Sequence, residues 1–425
     1  MKFARTSERP SDSTLYRWQL RRLFDMALNA VDPMARVVEA LPPPPLGRTI
    51  VLGAGKASAR MAQGVEAVWT GPLSGLVVTR YGHGATCEKI QIVEAGHPMP
   101  DFAGETAARQ MLDLASTAGP DDLVIALMSG GGSSLLTVPL PGVGSEELRL
   151  INRSLLVCGA PIEEMNTVRR HLSSIKGGRL ANACGRARLV TLVVSDVPGD
   201  DPAVVASGPT VPDRTKPADA LCILQDYGIA VSPAVRSALL EQPPIQLDPS
   251  VPREVKVVAT ADMALRAAAE QAELFGFEVI NLGGSVEGES RDVAATQAGL
   301  ALGLQLRRGG RPRLLLSGGE TTVTVRGSGR GGRNSEFLLA LSLALDGAPG
   351  ICALACDTDG IDGVEVNAGG VIDSDSLRRA GRMGLSPAAL LKDNDAYTFL
   401  EQLDDLIITG PTRTNVNDFR AIIVE

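Results

Sequence analysis

The chain has 425 residues, more than one hydrophobic core usually serves, so two α/β domains are the expected division. Its 41 Lys and Arg against 49 Asp and Glu leave a net charge of −8, which sets an unfavourable field against nucleic acid and removes it as the expected partner. The charged, proline-broken N-terminus, the absence of any run of about 18 apolar residues and six scattered cysteines imply no membrane span and a reduced, cytoplasmic setting.

Taken in chain order, residues 15–39 carry Leu20, Phe24, Ala27, Leu28 and Val31 at helical spacing, with Pro33 as an interruption and Pro42 to Pro45 as the end. A repeating grammar of strand, glycine turn and helix follows. Thr49 to Leu52 runs into Gly53-Ala54-Gly55-Lys56 and a helix to about Val68. Short strands are expected at Leu76 to Thr79 and Ile90 to Glu94. Leu123 to Met128 leads into Ser129-Gly130-Gly131-Gly132-Ser133-Ser134, and Leu189 to Val194 leads into Ser195-Asp196-Val197-Pro198-Gly199-Asp200-Asp201. Strands alternating with helices predict parallel sheets covered on both faces. Prolines gather without periodicity between 240 and 253, which predicts a boundary there, with domains at 1–245 and 246–425. Beyond it come a strand at 255–259, helix 262–275, strand 277–282, helix 290–308, the strand Leu314 to Leu316, a leucine-rich helix Leu338 to Leu345 and a buried strand Ile351 to Cys356.

The chemistry-bearing residues lie in the polar exits of these strands. Gly53-Ala54-Gly55-Lys56-Ala57-Ser58 is neither a complete P-loop, which would need glycine where Ile50 stands, nor a complete dinucleotide fingerprint, which would need a third small residue at Ser58 and an acid after the next strand, where Thr79-Arg80 stand. Amides at a helix N-terminus with an ammonium in the turn still make an anion site; a plain tight turn with a solvated lysine is the alternative. In the Ser129 to Ser134 run, consecutive glycines let amides crowd a phosphate while hydroxyls donate to it. A nucleophilic serine is disfavoured: the flanking pattern of a nucleophile elbow is missing and only His83, His97 and His171 offer a base. His97 reads as a loop residue able to line a cleft. Asn166 to Leu180 holds Arg169, Arg170, His171, Lys176 and Arg179 at helical spacing, ordinarily a solvated basic face, with Lys176 placed toward the cleft by its neighbouring glycines. Asp196, directly after a strand, projects where open α/β sheets bind ligands, and Asp200 with Asp201 offers magnesium ligands or capping. In LSGGETTVTVRGSGRGGRNSEF, residues 316–337, the glycine turn, Glu320 and the forks of Arg326, Arg330 and Arg333 read as an anionic-ligand site.

GAGKASARMA, GHPMPD, SGGGSSLL, NTVRRHLSSIKGGRLA, SDVPGDDPAVVASGPT, SGGETTVTVRGSGRGGRNSEF, DTDGIDG, NAGGVID and DNDAYTFL…TGPTRTNVNDF occur in one order from about residue 15 to 425. In this the chain closely resembles the class II glycerate kinases, whose C-terminal portion is the MOFRL domain. The resemblance implies a larger N-terminal Rossmann-like parallel sheet flanked by helices and a smaller C-terminal α/β domain of MOFRL type. It implies ATP-dependent, magnesium-assisted transfer of the γ-phosphoryl group to the 2-hydroxyl of D-glycerate, with a homodimer left open. On that reading Lys56, Asp196 and Arg333 are catalytic, with Arg326 in reserve for the role of Arg333. Gly53, Gly55, Ser129, Gly130, Gly131, Gly132, Ser133, Ser134, Lys176, Glu320, Arg326 and Asn334 bind substrate or phosphate, and Asp196 and Asp200 are the metal candidates. DTDGIDGVEVNAGG and Lys392-Asp393-Asn394-Asp395 depart from the usual family pattern. An NAD(P)H-dependent hydroxypyruvate reductase, a label the family also carries, is the alternative; a phosphosugar-binding module without chemistry is a third.

Overall fold

The computed structural model describes residues 12–425 apart from 243, 244, 246, 308 and 309. Its described residues separate into two compact units: one lies within 32–260 with 413–415, the other within 12–31 with 261–412 and 416–425. The expected division at 245/246 therefore differs from the packing at both ends of the chain, and Pro243 and Pro244 of the expected linker lie outside the described residues.

The first unit is built on a six-stranded parallel sheet. Its strands are β1 (Thr49–Ala54), β2 (Leu73–Arg80), β3 (Ile90–Ala95), β4 (Leu123–Ser129), β5 (Arg188–Val194) and β6 (Arg253–Ala259), in the order β3-β2-β1-β4-β5-β6. β1, β4 and nearly all of β5 are buried, as continuous apolar runs covered on both faces require. The strand expected at 255–259 is β6, the edge of this sheet rather than the start of a second domain. Its Arg253, Glu254 and Lys256 put charge on that edge, where bare ladder groups would otherwise invite another strand. Strand order reverses between β1 and β4, the switch point beyond whose carboxyl ends such sheets hold ligands.

The second unit carries β7 (Glu278–Asn281), β8 (Gly288–Glu289), β9 (Arg313–Gly319), β10 (Thr321–Thr322), β11 (Ile351–Asp357), β12 (Gly369–Asp373), β13 (Leu406–Ile407) and β14 (Asp418–Val424). Its sheet, β13-β12-β11-β14-β9-β7, is mixed: only β7 and β9 pair in parallel, so the parallel arrangement expected of both sheets holds for the first alone. β9 also runs through Ser317-Gly318-Gly319, which the sequence reading treats as a turn. A Cβ on Gly319 would collide with the backbone of Val286, so glycine here admits a crossing segment into the edge of the strand.

The predicted N-terminal helix is two: Asp12–Ala30 ends before Pro33, which begins Pro33–Ala40 at the first helical position. The first of these packs with the mixed-sheet unit, where Arg17 meets Asp373 at 2.6 Å and Asp405 at 2.7 Å. Among the described residues no helix is long and apolar enough to cross a membrane. Arg17→Ala removes the close cation from Asp373 and one of the two arginines from Asp405, carboxylates only 8% and 2% exposed; Arg379 still pairs with Asp405, so the variant is expected to lose about 1–2 kcal/mol, read as a fall in the denaturant midpoint.

Candidate active site

At the switch point of the parallel sheet, the turns leaving β1 and β4 are fastened to one another. The Lys56 amide donates to the Gly130 carbonyl at 2.8 Å, and the Ala57 amide donates to Ser129 Oγ at 3.0 Å. Ser58 Oγ donates to the Leu127 carbonyl at 2.9 Å and lies 3.2 Å from Ser129 Oγ. Gly55, at φ +136°, has no room for a Cβ, which would collide with Ser129. Ser129 and Gly53 thus do structural work: the Ser129 hydroxyl is buried in the joint, and Gly53 sits inside β1 with Leu127 and Val77 about it. The Ser129 hydroxyl is engaged within the joint and Gly53 within the strand pairing, where the sequence reading sets both beside a phosphate.

Past this joint the chain presents the reactive types. A Cβ on Gly130 would overlap Asp196 Oδ2 and Asn415 Nδ2, and Asn415 Nδ2 donates to Asp196 Oδ2 at 2.8 Å. Asn415 belongs to Arg413–Asn415, the short segment from the far end of the chain that packs in this unit. A Cβ on Gly131 would stand 3.0 Å from the His97 ring and 3.4 Å from Lys56 Cγ, so the lysine stem and the imidazole lie over that glycine. Ser133 Oγ is 2.8 Å from Ser207 Oγ, which donates to Asn166 Oδ1 at 3.2 Å. Ser134 Oγ returns to the Gly131 carbonyl at 3.0 Å and closes the turn. Asp200 follows in the next turn at φ +54°.

Lys176 is not on the basic helix. That helix stops at His171, and the chain turns through Ser173 to Gly178 before the next one begins. Arg170, His171 and Lys176 are buried rather than solvated: Arg170 meets Asp213 at 3.0 Å, and Lys176, only 3% exposed, donates to the Leu136 carbonyl. Burial, helped by the nearby charge of Arg169, pushes the Lys176 ammonium down to about 7. Burial likewise lowers Arg169, which holds Asn152 Oδ1 at 3.1 Å.

The remaining predicted residues lie in the mixed-sheet unit. Each nitrogen of the Arg333 guanidinium faces a carboxylate: Asp418 at 2.8 Å, Asp357 at 2.8 Å and Glu320 at 2.5 Å. Burial opposes its charge, but these three acids together raise it well above its ordinary value. Glu320 is 51% exposed, whereas Asp357 and Asp418 are buried. Asn334 is fully buried and donates to Asp418 at 2.7 Å, while Asp362 receives the Asn334 and Ser335 amides at the start of helix Arg333–Leu345, so Asn334 serves this framework. Arg326 is exposed, and its amide is held by Asn394 Oδ1 at 2.8 Å. Asp393 and Asp395 receive the Ser328 and Arg330 amides, so the departing KDND run supports the arginine loop.

Of the residues reasoned from sequence, the parallel-sheet unit gathers Lys56, Gly130 to Ser134 and Asp196. Reasoning from contiguous motifs passed over Asn415, Asn166 and Ser207; the TGPTRTNVNDF run was the available signal for the first. Among the described residues no three His, Cys, Asp or Glu side chains are grouped to hold a metal ion.

A family described as a domain of unknown function, DUF4147, matches residues 19–240, and the MOFRL family matches 313–418. A putative hydroxypyruvate reductase of Agrobacterium vitis is 49% identical over 95% of this chain and 94% of its own length. The D-glycerate 2-kinase of Thermotoga maritima is 40% identical over 92% of this chain and 94% of its own. The crystal structure of glycerate kinase from Thermotoga maritima superposes with a TM-score of 0.89 at 38% identity, covering 97% of this chain and all of that one.

The charge state of Lys176 has a signed consequence. Because its folded value lies below its unfolded one, the native state binds fewer protons, so this group costs stability below about pH 7 and the cost fades as pH rises toward 10.5. Lys176→Met is expected to be more stable than the parent near pH 7, by a margin that shrinks toward pH 10, in unfolding titrations run across that range.

Proposed function

The chain belongs to the glycerate kinase family defined by the DUF4147 and MOFRL regions, and from that premise we propose that it is an ATP-dependent glycerate 2-kinase, transferring the γ-phosphoryl group to the 2-hydroxyl of D-glycerate to give 2-phosphoglycerate. The observation that carries this reading is the joint at the switch point, with Lys56, the Gly130 to Gly132 amides and Asp196 beyond the carboxyl ends of neighbouring strands. Phosphoryl transfer asks the protein chiefly to position the reactants and neutralise charge. Lys56 supplies a cation for the transferring oxygens, and the glycine amides supply donors that need no reorganisation. Asp196 accepts the proton of the 2-hydroxyl, held in orientation by the Asn415 amide. In the mixed-sheet unit Arg333 serves as the clamp for an anionic group, exchanging its exposed Glu320 partner for the ligand.

Magnesium, when bound, neutralises charge across the phosphoryl oxygens. Asp196 or Asp200 would hold the ion, which needs only one or two protein carboxylates beside the phosphates. The described cysteines are free thiols, as suits action in the reducing cytoplasm. The reductase reading draws on the Gly53-Ala54-Gly55 turn and on Arg80 at the end of β2, which would suit a 2′-phosphate; it is weaker because the third position of the fingerprint is Ser58, buried and bonded to the Leu127 carbonyl.

In a coupled assay of ADP release, glycerate-dependent turnover is expected to require magnesium. Lys56→Ala and Asp196→Asn are each expected to lower kcat at least about a hundredfold with the melting temperature retained. Parental rates in either variant remove that residue from the chemistry. Asn415→Ala, which removes the amide's hydrogen bond to Asp196 Oδ2 and keeps the carboxylate, is expected to cost roughly tenfold in kcat while the KM for ATP stays within about twofold.

A further inference from the structure

In the mixed-sheet unit, the segment between β10 and helix Arg333–Leu345 carries Arg326 and Arg330 among glycines, and left to itself so glycine-rich a run would order at high entropic cost. It is held instead by the run Asp393 to Asp395. Asn394 Oδ1 accepts the Arg326 amide at 2.8 Å and the Gly327 amide at 3.0 Å, and the Asp393 carbonyl accepts the Gly329 amide at 2.9 Å. A Cβ on Gly327 would collide with Asp393 and one on Gly329 with Asp395, so the two runs lie in contact. Asn394 is itself fixed from behind. Its Nδ2 donates to Glu336 Oε2 at 2.9 Å, and Glu336 Oε1 accepts from Arg291 at 2.6 Å; both Asn394 and Glu336 are buried.

The arginines of this region end in different states. Arg330 lies over the Tyr397 ring at 4.2 Å and pairs with Glu365 at 2.8 Å, and Arg333 faces three carboxylates. Arg326 is exposed, and among the described residues no carboxylate lies within ion-pair distance of its guanidinium. The amides about it are already bonded, so the donors left to meet a ligand are those of the guanidinium, a planar fork suited to phosphate or carboxylate oxygens. An arginine on a fixed backbone has only its own rotamers left to order when it binds, which is what holding the loop achieves. Resting on the kinase reading, we infer that Arg326 binds an anionic group of a substrate, a phosphate of ATP or the carboxylate of glycerate, and that Asn394 is the positioning residue that sets its backbone.

Arg326→Ala is expected to raise the KM of one substrate at least about tenfold, leave that of the other within about twofold and keep the melting temperature; which KM moves identifies the anion. Asn394 stands at φ +56°, which glycine adopts without strain, so Asn394→Gly removes the side chain alone. It is expected to raise the same KM about fivefold with kcat within about twofold. In the double variant that KM is expected to stay within about twofold of the Arg326→Ala value, because both changes remove one interaction. Asn394→Asp combined with Glu336→Gln exchanges donor and acceptor across their hydrogen bond and is expected to restore the parental KM. Parental KM values in Arg326→Ala, factors that multiply in the double variant, or a fall in melting temperature alone in Asn394→Gly would each overturn the inference. Binding of a fluorescent ADP analogue and calorimetry of D-glycerate need no turnover and separate this inference from the kinase reading. The same losses of affinity in a protein that transfers no phosphate leave the inference standing and overturn the kinase reading, whereas a parent that binds neither ligand overturns both.

Discussion

One buried serine bolts together the two strand exits on which the proposed chemistry depends. Ser129 closes β4, and its hydroxyl receives the Ala57 amide from the turn after β1 while touching Ser58 Oγ. Reversal of strand order between these neighbours opens a crevice in any sheet of this order, but does not by itself fix what projects into it. The joint supplies that definition. With Gly55 pressed against Ser129 and the Lys56 amide tied to Gly130, the lysine and the glycine amides share one rigid support. The close approach at Gly130 then brings the Asp196 and Asn415 pair against the same turn.

The cations of the molecule do unlike work because their surroundings differ. Lys56 rises from a turn over Gly131, whereas Lys176 is buried beside the Leu136 carbonyl, and that burial brings it to the edge of neutrality. Arg333 sits among carboxylates that hold it charged and aimed. Of the three partners only Glu320 is exposed, so in the proposed clamp it is the one exchanged for the anion.

Much of this was legible in the sequence, for stated physical reasons. Buried parallel strands must be apolar runs, and their exits must carry glycine where the backbone turns sharply, so β1, β4 and β5 with their loops could be read directly. Other features were hidden. Prolines before β6 look like a domain linker although the strand pairs with β5, because strand pairing is decided by partners that composition does not name. Arg170 and His171 look like a solvated face because charge predicts exposure only until a partner such as Asp213 is supplied by the fold. Ser129 and Gly53 carry the composition of a phosphate loop but spend it on packing. Asn415 reaches Asp196 across more than half of the chain, a pairing that spacing cannot reveal.

The central claim is that this chain moves a phosphoryl group from ATP to the 2-hydroxyl of glycerate. Phosphorus NMR of the products formed from ATP, magnesium and D-glycerate tests it in one spectrum. The account predicts a new phosphomonoester resonance coupled to the single proton on carbon 2, growing in step with ADP. A resonance coupled instead to the two protons of carbon 3, or ATP left intact while hydroxypyruvate consumes NAD(P)H, would contradict it.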